Sequence, residues 1–366
     1  MTFHVPWQPE HFAMLMQLRA DPSLSWQRIA SELTREFGIP RTGQAARFEY
    51  SQLKLNGEFE VGPVSYYMPQ VQPTPAPDKP QDAIDVPNVI LISDTHCGCR
   101  QAIINPKVKI TLDGGGSYEA SPFQIDLWNK KWVILWNTIV PRWTKKEPFV
   151  IIHLGDIMDS VHHNSTTQIS QNPVDQKRIA KTVLYPLTQM KGFSGLYIIR
   201  GTEAHSGASS HMEEELAQEL GAIPDNCGNY ARYELWKYVG TGSIAKRALI
   251  HCMHHIGTTG SQHYESTAIH KELIEALVEA GRWGSRAPDY VIRGHRHRYI
   301  ATRIASDTGH SMGVVVPGWQ GKTPFVFRMP GSRQSVPQFG AVLIRAGKEE
   351  HYLREQCWVG SRQIPE

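Results

Sequence analysis

Short apolar segments that end in acidic or histidine residues recur along the chain. The first covers residues 89–92, with the sequence Val-Ile-Leu-Ile, and predicts a strand that is buried on both faces. Asp94 and His96 follow it directly. Because alternate side chains of an extended segment point the same way, we expect these two side chains to converge. A carboxylate beside an imidazole suits a divalent transition metal.

Four further apolar segments, near residues 149–154, 196–200, 248–253 and 290–293, have similar ends. The polar residues that follow or close these segments are Asp156 and Asp159, Thr202 to His205, His254 and His255, and His295 and His297. In open α/β sheets, binding sites form outside the carboxyl ends of the strands. The five strand ends therefore predict one shared polar site.

The order of these motifs, D-x-H, G-D-x-x-D, a Gly-led turn, a His pair and G-H-x-H, resembles the calcineurin-like metallophosphoesterases over roughly residues 86–350. The chain is also similar to phage and prophage phosphoesterases. The resemblance implies an α/β fold, a four-layer α-β-β-α sandwich, and two divalent metal ions, Mn²⁺ first, with Zn²⁺, Fe²⁺, Co²⁺ or Ni²⁺ as alternatives. It implies the metal ligands Asp94, His96, Asp156, His254, His295 and His297, with Asp156 bridging the two ions.

The third motif departs from the family. The family has Gly-Asn-His-Asp/Glu, whereas this chain has Gly-Thr-Glu-Ala-His over residues 201–205. Thr202 offers only a hydroxyl, so we expect Glu203 to take the metal role. We expect His205 to be catalytic, as a general acid or a transition-state stabiliser, with a structural turn residue as the alternative.

Further residues are expected near the metals. Asp159 and Thr202 are expected to support the ligands by hydrogen bonds. His251 is the second choice for the ligand position given to His254, and His255 also remains open.

Residues 1–58 predict a small domain of three helices that looks like a helix-turn-helix domain. Its third helix would offer DNA contacts from Arg41, Gln44, Arg47 and Lys54. Residues 1–55 hold six Lys/Arg and five Asp/Glu, 6 − 5 = +1, so charge gives no strong sign of nucleic acid. The alternative is a protein-interaction or capping domain.

Domain boundaries follow from composition. Prolines dominate residues 59–87 and predict an extended linker. The phosphoesterase domain is expected over residues 88–350, and a C-terminal tail over residues 351–366.

The composition of the chain narrows its expected cellular location and the classes of partner that it could bind. No run of 18 apolar residues exists, so no membrane partner is expected. The N-terminus lacks the basic and apolar regions of a signal peptide, and the five cysteines are scattered. We therefore expect a cytoplasmic protein, in the host cytoplasm if a phage encodes it. The oligomeric state stays open.

These patterns together predict a two-metal phosphoesterase, a phosphodiesterase or nuclease that acts on nucleic acid. Two alternatives remain. One is a phosphomonoesterase or phosphoprotein phosphatase on the same metal core. The other is a DNA- or protein-binding adaptor whose core has become catalytically weak through the altered third motif.

Overall fold

The structure is a computed structural model that describes residues 7–19, 21, 23–55, 83–162, 165–207, 210–257, 262–306, 309–328, 335–348 and 350–360. The chain forms two compact units, residues 1–70 and 71–366. None of the helices in these described ranges combines the length and the apolar character needed to cross a membrane.

The N-terminal unit contains three helices at the predicted places. These are α1 (Pro9–Arg19), α2 (Trp26–Phe37) and α3 (Gly43–Leu55). The hydroxyl of Ser25 accepts a hydrogen bond from the Arg28 N–H and caps the start of α2. Gly38, with φ +67°, ends α2 in the left-handed conformation that favours glycine.

The core of this unit differs from expectation on α3. Ala46 joins Leu15, Ile29 and Leu33 in the core, whereas the large apolar residue Phe48, from which the helical spacing leads us to expect burial, is 61 % exposed. The rotation of α3 about its axis decides this outcome, and the apolar spacing of the sequence permits either face.

The side chains that we expect to contact DNA, in and just before α3, differ in their packing and exposure. The Arg41 guanidinium lies 4.4 Å from the centre of the Trp7 ring, and its Nη2 lies 3.4 Å from His11 Nδ1. Arg41 thus packs within the unit rather than projecting from it. Gln44 and Arg47 are exposed, and the Lys54 side chain lies outside the described residues.

The C-terminal unit alternates strands and helices. Its strands are β1 (Ala83–Ile84), β2 (Asn88–Ile92), β3 (Ile110–Thr111), β4 (Ser117–Tyr118), β5 (Phe149–His153), β6 (Phe193–Ile199), β7 (Ala231–Arg232), β8 (Glu234–Val239), β9 (Ala248–Met253), β10 (Tyr290–Arg293), β11 (Ile300–Ser306), β12 (Gly309–Val315), β13 (Gln338–Ala346) and β14 (His351–Val359). Its helices are α4 (Pro122–Leu127), α5 (Val140–Trp143), α6 (Pro173–Thr188), α7 (Glu203–Ser206), α8 (His211–Glu219), α9 (Glu265–Trp283) and α10 (Pro324–Arg328). Two π-helical turns, Trp128–Trp132 and Leu135–Ile139, lie between α4 and α5, and short 3₁₀ turns cover Ile244–Lys246 and Gln262–Tyr264.

Two mixed six-stranded sheets form the body of this unit. One has the order β14-β13-β2-β5-β6-β7, in which β2, β5, β6 and β7 run parallel. The other has the order β1-β8-β9-β10-β12-β11, in which β9, β10 and β12 run parallel. Parallel neighbours end at the same edge of a sheet, so the motifs after β2, β5 and β6 meet, as do those after β9 and β10.

The central strand β2 is buried on both faces, as predicted. Val89 and Leu91 join a cluster that contains apolar residues of both sheets, including Ile152, Ile250 and Ile344. The two sheets therefore pack against each other.

Helices cover the other faces of the sheets. Ile90 of β2 contacts a second cluster with residues of α6 and α8, such as Ile179 and Leu216. A third cluster joins Ile269 and Leu273 of α9 to the second sheet.

Two predicted boundaries are corrected. Residues 351–359, expected in a tail, form β14 antiparallel to β13. Leu353 and Trp358 pack against opposite faces of the sheet, which is the reason that this segment folds. Residues 83 and 84, expected in the linker, form β1 beside β8, and residues 59–82 lie outside the described residues.

Candidate metal centre

The motifs after β2 and β5 are joined by backbone hydrogen bonds. The Asp94 N–H donates to the Gly155 carbonyl over 3.1 Å, and the His96 N–H donates to the Asp156 carbonyl over 3.0 Å. The two loops therefore continue the pairing of their strands, and they bring three of the predicted ligands together.

The ligand residues have unusual backbone geometry. The φ angles are +52° for Asp94, +41° for His96, +51° for Asp156, +70° for His295 and +51° for His297. Residues other than glycine seldom adopt this left-handed region, and each such residue costs about 1–3 kcal/mol. The expectation that Asp94 and His96 converge through an extended strand is therefore wrong, because left-handed turns beyond the strand end aim both side chains.

Asp94, His96 and His297 form a first group of side chains that could hold a metal ion. Asp94 Oδ1 lies 3.3 Å from His297 Nε2 and 3.8 Å from His96 Nε2. The two imidazole nitrogens lie 3.1 Å apart. Three ligand atoms thus face one point, as the binding of one cation requires.

Asp156, His254 and His295 form the second group. Asp156 Oδ2 lies 3.1 Å from His254 Nε2 and 4.0 Å from His295 Nδ1. His254 Nδ1 lies 2.5 Å from the Leu154 carbonyl, which can only accept, so this nitrogen donates and Nε2 turns toward Asp156.

The other oxygen of Asp156 contacts the third motif. Asp156 Oδ1 accepts the Thr202 N–H over 2.7 Å and the Thr202 hydroxyl over 3.0 Å. Gly201 lies so close that a Cβ atom there would be 2.2 Å from this oxygen. Only glycine permits this approach, so the orientation of Asp156 depends on both residues.

The Asp159 carboxylate lies beside the His96 imidazole. Its Oδ1 lies 3.3 Å from His96 Nδ1, so the opposite nitrogen of the imidazole faces Asp94 and His297. Gln168 and Gln320 each donate to the Asp159 carboxylate over 2.9 Å. Neither glutamine was identified from the sequence, since no motif contains them.

His205 also lies at this centre. Its Nδ1 is 2.7 Å from the Asp159 carbonyl oxygen, and its ring centre lies 4.4 Å from that of His96 and 4.2 Å from that of His162. Burial and the neighbouring His96 lower the pKa of His205 to about 4. At neutral pH the imidazole is therefore uncharged, with the proton on Nδ1 and a lone pair on Nε2.

Two of the expected residues are not brought to the centre. The Glu203 side chain is exposed at the start of α7 and belongs to neither group. His251 stacks on Trp236 with ring centres 4.1 Å apart, and its Nε2 lies 2.8 Å from Glu234. His251 lies on the face of its sheet that points away from the partner sheet, because its neighbours Ile250 and Cys252 are in the inter-sheet cluster.

The charges of the two groups fit divalent cations. Burial alone would raise the pKa of the Asp156 carboxyl, but the nearby imidazoles, His254 first, hold it well below its usual range. Burial alone would lower the pKa values of His96 and His254. Instead, Asp159 and Asp94 raise the pKa of His96 to about 10, and Asp156 raises the pKa of His254 to about 9. Positive charge is thus stabilised at both groups.

Buried polar atoms without hydrogen-bond partners also indicate that the two groups suit metal ions. Asp94 Oδ1 and His254 Nε2 are buried, and neither makes a hydrogen bond to any residue in the described part of the chain. Buried polar atoms normally have partners. Carboxylate oxygen and imidazole nitrogen are suitable ligands for Mn, Fe, Co or Zn ions.

Glu213 is a further residue that sequence analysis missed. Its fully buried carboxylate accepts the Ile157 N–H over 2.9 Å and the Gly201 N–H over 2.6 Å. Burial and the nearby Asp156 raise the pKa of Glu213 to about 7. Three consecutive glutamates occupy residues 213–215, and nothing in that run distinguishes the first from the others.

Comparison with known proteins adds little. No protein-family model matches the chain, and no curated protein matches it. Among solved structures, a predicted phosphoesterase of Streptococcus pneumoniae is similar at 10 % identity and a TM-score of 0.27, covering 76 % of this chain and 100 % of its own. Vacuolar protein sorting 29 of Cryptosporidium parvum is similar at 12 % identity and a TM-score of 0.28, and the match covers 76 % of this chain and 100 % of that protein's chain.

Replacement of Gly201 tests the arrangement around Asp156. We expect Gly201→Ala to displace the Asp156 carboxylate and to weaken binding of Mn²⁺ at least about tenfold, as loss of ligand support does in other metal sites. Isothermal titration of the metal-free protein with Mn²⁺ measures this change. Gly114→Ala is the control, because a Cβ atom there meets no other atom within 4 Å. Wild-type affinity in the Gly201 variant would contradict the assignment.

Proposed function

We propose that the protein is a two-metal-dependent phosphoesterase with the four-layer arrangement typical of the calcineurin-like family. One observation carries the proposal. The Asp156 carboxylate, which completes the group of His254 and His295, lies beside His96 of the other group. A carboxylate at this position can bridge two cations.

The residues present can hold both ions. Asp94, His96 and His297 would bind the first ion, His254 and His295 would bind the second, and Asp156 would bind both. Two such ions, when bound, activate a water as the nucleophile and neutralise the phosphoryl oxygens. The Mn²⁺ ion remains our first choice among the ions that these ligands accept.

The side chains around the ions prepare this chemistry. The Asp159 carboxylate lies 3.3 Å from His96 Nδ1, and the Leu154 carbonyl accepts the His254 Nδ1 hydrogen and so directs that imidazole. We propose that His205 is catalytic. Its uncharged Nε2 is suited to accept a proton or hydrogen bond from a reacting water or hydroxyl, rather than to donate one as a general acid.

We propose nucleic acid as the substrate class. Support comes from the N-terminal unit, where α3 presents Gln44, Arg47 and the large apolar Phe48 on its exposed surface. Polar and basic groups on an exposed helix can contact phosphates and bases.

The catalytically weak adaptor is the second candidate. Thr202 stands where the family has the Asn ligand, and both its N–H and its hydroxyl are already bonded to Asp156. The second ion would then lack one protein ligand. If the protein binds metal but hydrolyses no ester, that result would favour the adaptor over the enzyme.

Replacement of Asp156 tests the proposed activity. We expect Asp156→Asn to lower Mn²⁺-dependent hydrolysis of bis-p-nitrophenyl phosphate by more than about a hundredfold, beyond the ~10–100-fold cost of losing a supporting residue. The release of p-nitrophenol measures the rate. His251→Ala is the control and should keep wild-type activity. Hydrolysis confined to the monoester p-nitrophenyl phosphate would instead identify a phosphomonoesterase.

Replacement of His205 tests its role. We expect His205→Ala to lower kcat about a hundredfold, a typical loss for an acid–base group, while the protein still binds two Mn²⁺. Steady-state kinetics and metal analysis of the same sample measure both quantities. His270→Ala removes an exposed imidazole from α9 and is the control. Loss of a metal ion from the His205 variant would show that this residue is a ligand instead.

Replacement of Arg47 tests targeting to nucleic acid. We expect Arg47→Ala to slow the cleavage of DNA several-fold. The slope of the logarithm of the binding constant against the logarithm of the salt concentration should fall in magnitude by about one. The rate of bis-p-nitrophenyl phosphate hydrolysis should stay the same. Cleavage assays and binding titrations over a salt series provide the readouts. Arg35→Ala removes the same charge from the exposed surface of α2 and is the matched control. Equal effects of both variants would rule out a specific role for α3.

A further inference from the structure

Glu213 is a fully buried carboxylate beside the metal centre that has no part in the two ligand groups. We propose that Glu213 is a positioning residue that sets which oxygen of Asp156 faces the second metal ion. This inference rests on the proposed two-metal function.

Glu213 connects two loops that are far apart in sequence. Its Oε1 accepts the N–H of Ile157, the residue after Asp156, over 2.9 Å. Its Oε2 accepts the N–H of Gly201, the residue before Thr202, over 2.6 Å. One side chain from α8 thus spans the second and third motifs and keeps their backbones at a set separation.

This separation determines the orientation of Asp156. With Gly201 held by Glu213, the next N–H along the chain, that of Thr202, meets Asp156 Oδ1 over 2.7 Å. Asp156 Oδ2 is then left to face His254, whose Nε2 lies 3.1 Å away. A shift of the Gly201 loop would release Oδ1, and the carboxylate could rotate away from the second group.

Two acceptor oxygens on one side chain are needed for this role. Glutamine has one acceptor oxygen, and its amide NH₂ would face the N–H of either Ile157 or Gly201 as a second donor. Aspartate keeps the charge, but it is one methylene shorter and cannot maintain both contacts. Because the site is fully buried, water cannot replace the lost acceptor without a rearrangement.

The same helix supplies a control. The Glu214 side chain is 29 % exposed, and it also pairs with Arg200, the residue before Gly201, over 3.2 Å. Glu214 also accepts two backbone N–H groups, from Tyr230 over 2.7 Å and from Ala231 over 2.8 Å. These residues lead into β7 and are in neither ligand loop. Glu214→Gln therefore makes the same chemical change at a pair of N–H groups that have no contact with Asp156.

The experiment is a titration of the metal-free full chain with Mn²⁺, followed by calorimetry and by electron paramagnetic resonance of the bound ions. We expect Glu213→Gln to keep the tighter Mn²⁺ and to weaken the second at least about tenfold, the usual scale for loss of a supporting residue. The spectrum of a coupled Mn²⁺ pair should disappear accordingly. Glu214→Gln should bind both ions like the wild type, even if its thermal unfolding temperature falls by the same amount.

Three results would overturn the inference: unchanged binding of both ions by Glu213→Gln, equal weakening of both ions, or the same loss in Glu214→Gln. If Glu213→Gln does not fold, Glu213→Asp takes its place, with the same expected loss of the second ion. A wild-type chain that binds fewer than two Mn²⁺ would overturn both the two-metal function and this inference. If the wild-type chain binds two Mn²⁺ ions, the two-metal assignment stands. Any of the three results above would then count against the positioning role of Glu213 alone.

Discussion

The close approach between Gly201 and the Asp156 carboxylate is the contact on which the candidate centre depends. No side chain fits between the two, since a Cβ atom at residue 201 would lie 2.2 Å from Asp156 Oδ1. The approach lets the Thr202 N–H bind that oxygen and leaves the other for His254. These contacts fix the orientation of the carboxylate, and fixed side chains lower the cost of assembling a binding site.

This orientation requires a rigid surrounding structure. Asp94, His96, Asp156, His295 and His297 all have positive φ, and conformations of this kind persist only where neighbouring contacts hold them. Here the support is the parallel pairing of β2 with β5 and of β9 with β10, together with the apolar cluster between the sheets. The stability of the two packed sheets offsets the strain at their carboxyl edge.

Support for the ligands comes from residues scattered along the chain. Gln168 and Gln320 hold Asp159, which in turn directs His96. Glu213 joins the loops of Asp156 and Gly201. Such supporting groups matter because they set the orientation and basicity of the ligands that they contact. They give this centre a second set of interactions that the ligand motifs do not contain.

The sequence by itself determined the strands and most of the site. Apolar runs followed by polar residues placed β2, β5, β6, β9 and β10, and the common edge of parallel strands predicted that their ends meet. Local periodicity carries such information, since it depends only on neighbouring residues. The sequence left His251 open as the second choice of ligand, and only the packing of Ile250 and Cys252 between the sheets separates it from the centre.

Tertiary structure decided what local pattern cannot specify. The left-handed turns that aim Asp94 and His96, the exposure of Phe48 and Glu203, and the pairing of β14 with β13 all depend on contacts between distant segments. Glu213 is the clearest case, because it is one of three adjacent glutamates and only the rotation of α8 against the β5 and β6 loops buries it. Burial and hydrogen-bond partners arise when the chain folds, so the sequence alone does not reveal them.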